Sequence, residues 1–208
     1  VKVSGLLGGH SGGEIHKERA NAINILARYL NRLPSFTIAS LNGGTRRNVI
    51  PSSAEATIVV KDSSLALSIA STLNDEIKNE YKISDPNITL SVEKAKLPEK
   101  VLTEKVSSKV GDLLFTSPYG VKSWSTSLKG VVETSDNLAI VTLSDKEVSV
   151  IYSIRSSVES AKLNLAYQIQ TLLENNGFKV KIGDGYPAWT PNPSSRFTKE
   201  VADAYKRI

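Results

Sequence analysis

His10 and His16 are the only imidazoles in 208 residues, and there is no cysteine. His10 stands in Gly8-Gly9-His10-Ser11-Gly12-Gly13, where four glycines let backbone approach a ligand closely and leave the imidazole exposed. Phosphate loops need Lys-Ser/Thr after the last glycine and dinucleotide loops need G-x-G-x-x-G spacing, and neither is present. A plain strand-to-helix turn that happens to hold a histidine would use the same residues. A second polar turn, Asn42 to Pro51 (NGGTRRNVIP), sets Arg46, Arg47 and Asn48 beside a glycine pair. A guanidinium offers a bidentate fork to a carboxylate; a hairpin turn with solvated arginines is the alternative. Arg155 ends a segment in which Val148, Val150, Tyr152 and Ile154 share one face. Alternation therefore sends it to the opposite face, with Glu147, Ser149 and Ser153. The polar run Glu133-Thr134-Ser135-Asp136-Asn137 suits either the lining of a site or a capped loop.

These residues do not add up to a complete catalytic set. There is no H-E-x-x-H, no nucleophile elbow and no His-x-Asp pair. The two histidines are six apart and share a helical face poorly. Absence of cysteine excludes disulfides, thiolate catalysis and cysteine-based zinc sites. A dinuclear metal site needs several His and carboxylate ligands converging at ~2 Å, and no spacing here supplies one. The 26 Lys+Arg exceed the 21 Asp+Glu by five, but the surplus is scattered, which fits a solvated surface and no nucleic-acid partner. No apolar run approaches the length of a membrane span. Val1 falls inside an alternating apolar segment and Ile208 on an apolar helical stripe without a cap, so a piece of a longer protein is expected.

The elements that must position these residues follow from periodicity. A strand over Val1 to Leu7 leads into the glycine turn. Ile23, Leu26, Ala27 and Leu30 then mark a helix face that ends at Pro34. Phe36, Ile38 and Leu41 predict a strand, and Ala54, Ile58 and Val60 another. Ala66, Ile69, Ala70, Leu73 and Ile77 predict a helix, and Ile88, Leu90 and Val92 a strand. The second half offers a helix over Leu102, Val106, Val110, Leu113 and Leu114, and a hairpin of residues 138–143 and 147–155. A helix over Leu165, Ile169, Leu172 and Leu173 follows, closed by Asn176-Gly177, then a strand over Phe178, Val180 and Ile182. The order predicts an α+β fold, an antiparallel sheet with helices on one face, made of two ferredoxin-like βαββαβ-type halves. Residues 183–195 (GDGYPAWTPNPSS) read as a linker. Phe197, Val201, Ala204, Tyr205 and Ile208 form a helical stripe too short to stand alone in water, so it should dock on something.

Four segments, taken in order, carry a resemblance: GLLGGHSGGEIH (Gly5 to His16), LNGGTRRNVIP (Leu41 to Pro51), KGVVETSDNLAIVTL (Lys129 to Leu143) and YSIRSS (Tyr152 to Ser157). Together they resemble the aminoacyl-histidine (Xaa-His) dipeptidases, cytosolic nonspecific dipeptidases of the dinuclear-zinc exopeptidase superfamily. GYPAWTPNPSS is similar to their chain as it re-enters the catalytic domain. The resemblance implies a lid, or dimerisation, domain over 1–182. The start of the returning catalytic segment would occupy 183–208, and the ligands of two zinc ions would lie outside the chain. It further implies a cytoplasmic enzyme, a dipeptide substrate and a homodimer formed through the lid. His10 would stabilise the oxyanion of the tetrahedral intermediate, and Asn48 would bind the substrate backbone or that oxyanion. Arg155 would clamp the terminal carboxylate, and Thr134 and Ser135 would contact substrate. A noncatalytic α+β ligand- or protein-binding module, with the glycine-rich turns as recognition loops, is the competing reading.

Overall fold

The computed structural model describes residues 1–192 and 194–207. Strand β1 (Lys2–Ser4) is followed by the short β2 (Gly9–His10), a single 3-10 turn (Ile15–Lys17) and helix α1 (Ala22–Arg32). Asn21 caps α1 by accepting from Ile23 N at 2.9 Å and Asn24 N at 3.4 Å, the bond an Asn at this position makes with orphan amides of the first turn. Strands β3 (Thr37–Gly43), β4 (Val49–Ile50) and β5 (Ala54–Val59) precede helix α2 (Ser63–Glu80), capped by Asp62, and strand β6 (Thr89–Ser91). The remaining elements are α3 (Glu104–Thr116), β7 (Gly120–Trp124), β8 (Val132–Leu143), β9 (Val148–Ser156), α4 (Glu159–Asn175) and α5 (Arg196–Tyr205).

The main sheet is antiparallel throughout, in the order β6-β1-β5-β3-β8-β7, with β9 paired to the other edge of β8. The apolar faces of α1, α2 and α3 pack with β1, β3, β5, β6 and β8 into one cluster. Its deepest members are Ile23, Leu26, Tyr29, Leu30, Ile38, Leu73 and Ile77. Leu113 of α3 joins Leu165, Ile169 and Leu173 of α4 in a second cluster against β9. Val150 and Tyr152 touch both clusters, so the helices share one face of the sheet. The fold class is α+β, as the element order predicts.

The two halves differ. The first has the βαββαβ order, with its four strands of the main sheet arranged β6-β1-β5-β3. The second is α3-β7-β8-β9-α4 and has no such unit. Two misreadings produced the expected symmetry. Phe178 and Val180 do pack against the second cluster, but the backbone from Phe178 to Ile182 pairs with no strand; alternation reports which side chains are buried, not which amides are paired. Polar residues 133–137 are strand rather than loop, and extend β8 to twelve residues. The second half joins the first by closing the outer edge of β3. Thr142 and Val141 pair with Asn42 and Gly43, while Ile38 donates to Ser107 Oγ at 3.0 Å and accepts from Leu102 N at 2.8 Å.

Segment 183–192 is irregular, and α5 buries none of its described residues. Pro193 of the expected linker and Ile208 of the expected stripe lie outside the described residues.

Candidate functional site

The glycine-rich turn is held at both ends by one buried carboxylate. Asp85 Oδ1 accepts from Leu7 N at 2.8 Å and Oδ2 from Ala20 N at 2.7 Å, so residues 8–19 leave and return at a fixed point. Inside the loop, Glu14 accepts from His10 N at 2.9 Å, from Lys17 Nζ at 2.9 Å and from Arg19 Nη1 at 3.1 Å. The Lys17 hydrogen bond, with that of the His10 amide, holds the Glu14 carboxyl at about 2, well under the usual carboxylate range. Its charge therefore persists across neutral pH and keeps the backbone of His10 in place.

The imidazole of His10 is exposed and its tautomer is assigned by its neighbours. Nδ1 accepts from Gly12 N at 3.2 Å and Gly13 N at 3.0 Å. A nitrogen that accepts two amides presents its lone pair, so in the neutral ring the proton sits on Nε2, which faces away as a donor. The turn itself is tied down by β2–β4 pairing, where His10 lies opposite Val49, and by Ser11 N donating to Asn48 O at 2.9 Å. That brings the two glycine-rich turns of the sequence together, with Asn48 exposed next to the His10 turn.

The β2–β4 ribbon lies on the sheet face opposite the helices. Asn137 of β8 anchors it, its Nδ2 donating to Val49 O at 2.9 Å and Arg47 O at 3.4 Å. Alternation along β8 and β9 puts Ser135, Asn137 and Arg155 on this same face, Ser135 directly opposite Arg155. Gly12 is the meeting point. A Cβ built on it would lie 3.0 Å from Arg155 Cζ and Nε and 3.1 Å from His10 Cε1, so the guanidinium and the imidazole flank one backbone position, and a side chain there would push them aside by a few tenths of an ångström. Arg155 forms no ion pair among the described residues. It opens into a pocket of about 300 Å³ lined also by Gly12, Glu133, Ser135, Ser157 and Trp189.

Of the five side chains singled out from sequence, the structure gathers four around this face: His10, Asn48, Ser135 and Arg155. Thr134 is separate. It is buried on the opposite face of β8, and its Oγ1 shares a hydrogen bond with Ser156 Oγ at 2.9 Å. Asp85, Glu14 and Asn137 were not singled out, and no spacing motif marks them. Each acts on backbone distant in sequence or on a turn whose closure is tertiary. Asn137 was visible only as a member of the polar run.

Asp136, between Ser135 and Asn137, points to the helix side with both carboxyl oxygens buried and without partners. Burial pushes it up to about 8, so it is neutral through the lower physiological range. Nearby, Tyr152 OH and Ser117 Oγ share a 2.6 Å hydrogen bond.

The arrangement sets an imidazole donor and a guanidinium without an ion pair over one face of the sheet, and comparison with known proteins shows what the chain is similar to. Residues 1–86 match the family model described as peptidase dimerisation domain. Over its whole length the chain is 34% identical to the cytosol non-specific dipeptidase of Escherichia coli K12, of which it covers 44%. The crystal structure of aminoacylhistidine dipeptidase from Vibrio alginolyticus superposes on all of it with a TM-score of 0.91 at 27% identity, covering 43% of that chain. The resemblance carried by the four segments thus extends along the entire chain, which spans less than half the length of both relatives.

Proposed function

We propose that this chain is the lid, or dimerisation, domain of a zinc-dependent dipeptidase acting on dipeptides such as Xaa-His in the cytoplasm. Residues 1–182 form the lid and 183–208 lead back toward a catalytic domain. The observation that carries this reading is the convergence of His10 and Arg155 on Gly12, at the pocket rim, within a fold shared with dipeptidases. No helix among the described residues is long and apolar enough to cross a membrane. Among those residues no three His, Asp or Glu side chains stand together as a metal ion would require. The resemblance to dinuclear-zinc dipeptidases puts the zinc ligands in chain outside this one.

Each group has a task that follows from its chemistry. The Nε2–H of His10 is a preorganised donor for the oxygen that becomes negative when the peptide carbonyl is attacked. Such a donor in a closed site lowers the barrier by ~3 kcal/mol. The Gly12 and Gly13 amides are its positioning groups, because they fix the ring proton on the outward nitrogen. The Arg155 fork selects a free carboxylate end, which confines the enzyme to short peptides. Asn48 supplies an amide to the substrate backbone or the same oxyanion, and Ser135 a hydroxyl beside Arg155. Thr134 supports the Ser156 end of the pocket and has the weakest claim to touching substrate. Since His10 and Arg155 flank one glycine of one chain, both serve the same substrate molecule, whichever subunit's catalytic domain presents it.

In the full-length enzyme, His10→Ala should lower kcat by about a hundredfold or more with bound metal unchanged. Turnover close to wild type would remove His10 from the mechanism. Light scattering over a range of concentrations tests the dimer. The outer edge of β3 is already closed within the chain, so a homodimer must form through another surface, and a monomer at every concentration would confine the lid to its own catalytic domain.

A further inference from the structure

The segment between α4 and α5 lacks regular structure, yet it is tied to the start of α4 at three points. Lys162 Nζ donates to Tyr186 O at 2.7 Å, Ala188 N donates to Glu159 Oε2 at 2.7 Å, and Thr190 Oγ1 donates to Ser157 O at 3.1 Å. Three bonds spread over five residues fix the course of the strap and with it the position of Trp189. Trp189 lines the same pocket as Gly12, Ser135 and Arg155 and is 80% exposed. A large aromatic surface held open on a pinned backbone gains nothing from folding by itself; it gains when something planar or apolar enters the pocket beside it.

We propose that Trp189 is a specificity-determining residue, the aromatic wall against which the side chain of the substrate's carboxy-terminal residue packs. The inference rests on Arg155 holding that residue's carboxylate. Once the carboxylate is on the guanidinium, its Cα is two bonds away, and the side chain leaves from that Cα inside a pocket whose one large apolar surface is the indole. A planar side chain such as imidazole can stack on it, whereas a hydrogen or methyl group cannot. The pocket therefore selects dipeptides with a planar carboxy-terminal side chain over those ending in glycine or alanine.

The test compares kcat/KM in the full-length enzyme for two dipeptides that share their first residue and end in histidine or glycine. Trp189→Ala should lower kcat/KM for the histidine substrate about five- to tenfold, the size of an aromatic contact, and change the glycine substrate by less than twofold. Trp189→Phe should restore most of the preference, since it keeps a stacking face. An equal loss on both substrates, as a wall buried by another domain would give, overturns the assignment, and so does no loss on either. Arg155→Ala, assayed alongside, should raise KM for both dipeptides alike. An unchanged KM there overturns the carboxylate clamp and the side-chain placement built on it. An unselective Trp189→Ala beside an impaired Arg155→Ala overturns the wall alone.

Discussion

Two aspartates are buried among the described residues, one in each half of the molecule, and the two halves treat them in opposite ways. Asp85 is fully buried and both of its oxygens accept backbone amides, those of Leu7 and Ala20. Asp136 is 2% exposed and neither oxygen has a partner. The first half thus spends a carboxylate on closing the loop that carries His10. The second buries one for no hydrogen bond, and the carboxyl answers by keeping its proton. Burial alone does not decide whether an acid supports a fold; the number of donors it finds does.

The sharpest way to break that contrast is to follow stability against pH. The folded-state value of Asp136 is raised from 3.8 to about 8, so between those pH values the unfolded chain releases a proton that the folded chain retains. The Asp136 contribution to stability is therefore nil below pH 4, grows more unfavourable as pH rises toward 8, and is constant above. By ~1.4 kcal/mol per unit the fall is on the order of 6 kcal/mol. Asp136→Asn should remove it, and denaturant unfolding at a series of pH values would show the two curves diverging. Parallel curves would mean that Asp136 ionises in the fold.

Asp85→Ala should have the next largest effect. It orphans the buried Ala20 amide and the part-buried Leu7 amide together, a loss of about 2–3 kcal/mol in chemical denaturation. Hydrogen exchange should speed up at Leu7 and Ala20, while amides of α4 stay protected. If exchange rises uniformly, the carboxylate is a general core element and not a loop clasp.

Asn137→Ala cuts the tie between β8 and the β2–β4 ribbon, at about 1 kcal/mol. Its distinctive consequence is local: faster exchange at Ser11 and Val49 and, in the dipeptidase proposed above, a fall in kcat, because His10 rides on that ribbon. Equal protection at both amides would show that the His10 turn holds itself.

The smallest effect is on the ring itself. Nitrogen chemical shifts of His10 should report a proton on Nε2 at neutral pH, since Nδ1 accepts from Gly12 and Gly13. A proton on Nδ1 would remove the donor on which the oxyanion role proposed for His10 depends.

Much of the first half was legible. The apolar periods of α1 and α2 appear where Leu26, Leu30, Leu73 and Ile77 put them, because a helix that buries one face writes a 3.6-residue repeat into its sequence. His10, Asn48 and Arg155 were found through turn composition, strand alternation and resemblance. The second half was less legible for one reason. A strand whose helix-facing side holds Thr134 and Asp136 and whose other side holds Ser135 and Asn137 has no apolar period to read, so the polar run suits a site lining or a capped loop equally and does not announce a strand. β7 was missed for the same lack of pattern, since none of its residues is fully buried.

The sequence by itself determined the α+β class, the helices, the two glycine-rich turns and the resemblance to dipeptidases, all of which rest on local periodicity or on motifs contiguous in the chain. Only the tertiary structure decided that His10 and Arg155 meet over Gly12. It also decided that Asp85 closes the loop, that Thr134 turns away from Ser135, and that Trp189 stands at the pocket's edge. Those facts depend on contacts between residues far apart in sequence, and a contact of that kind leaves no trace in the spacing of either partner.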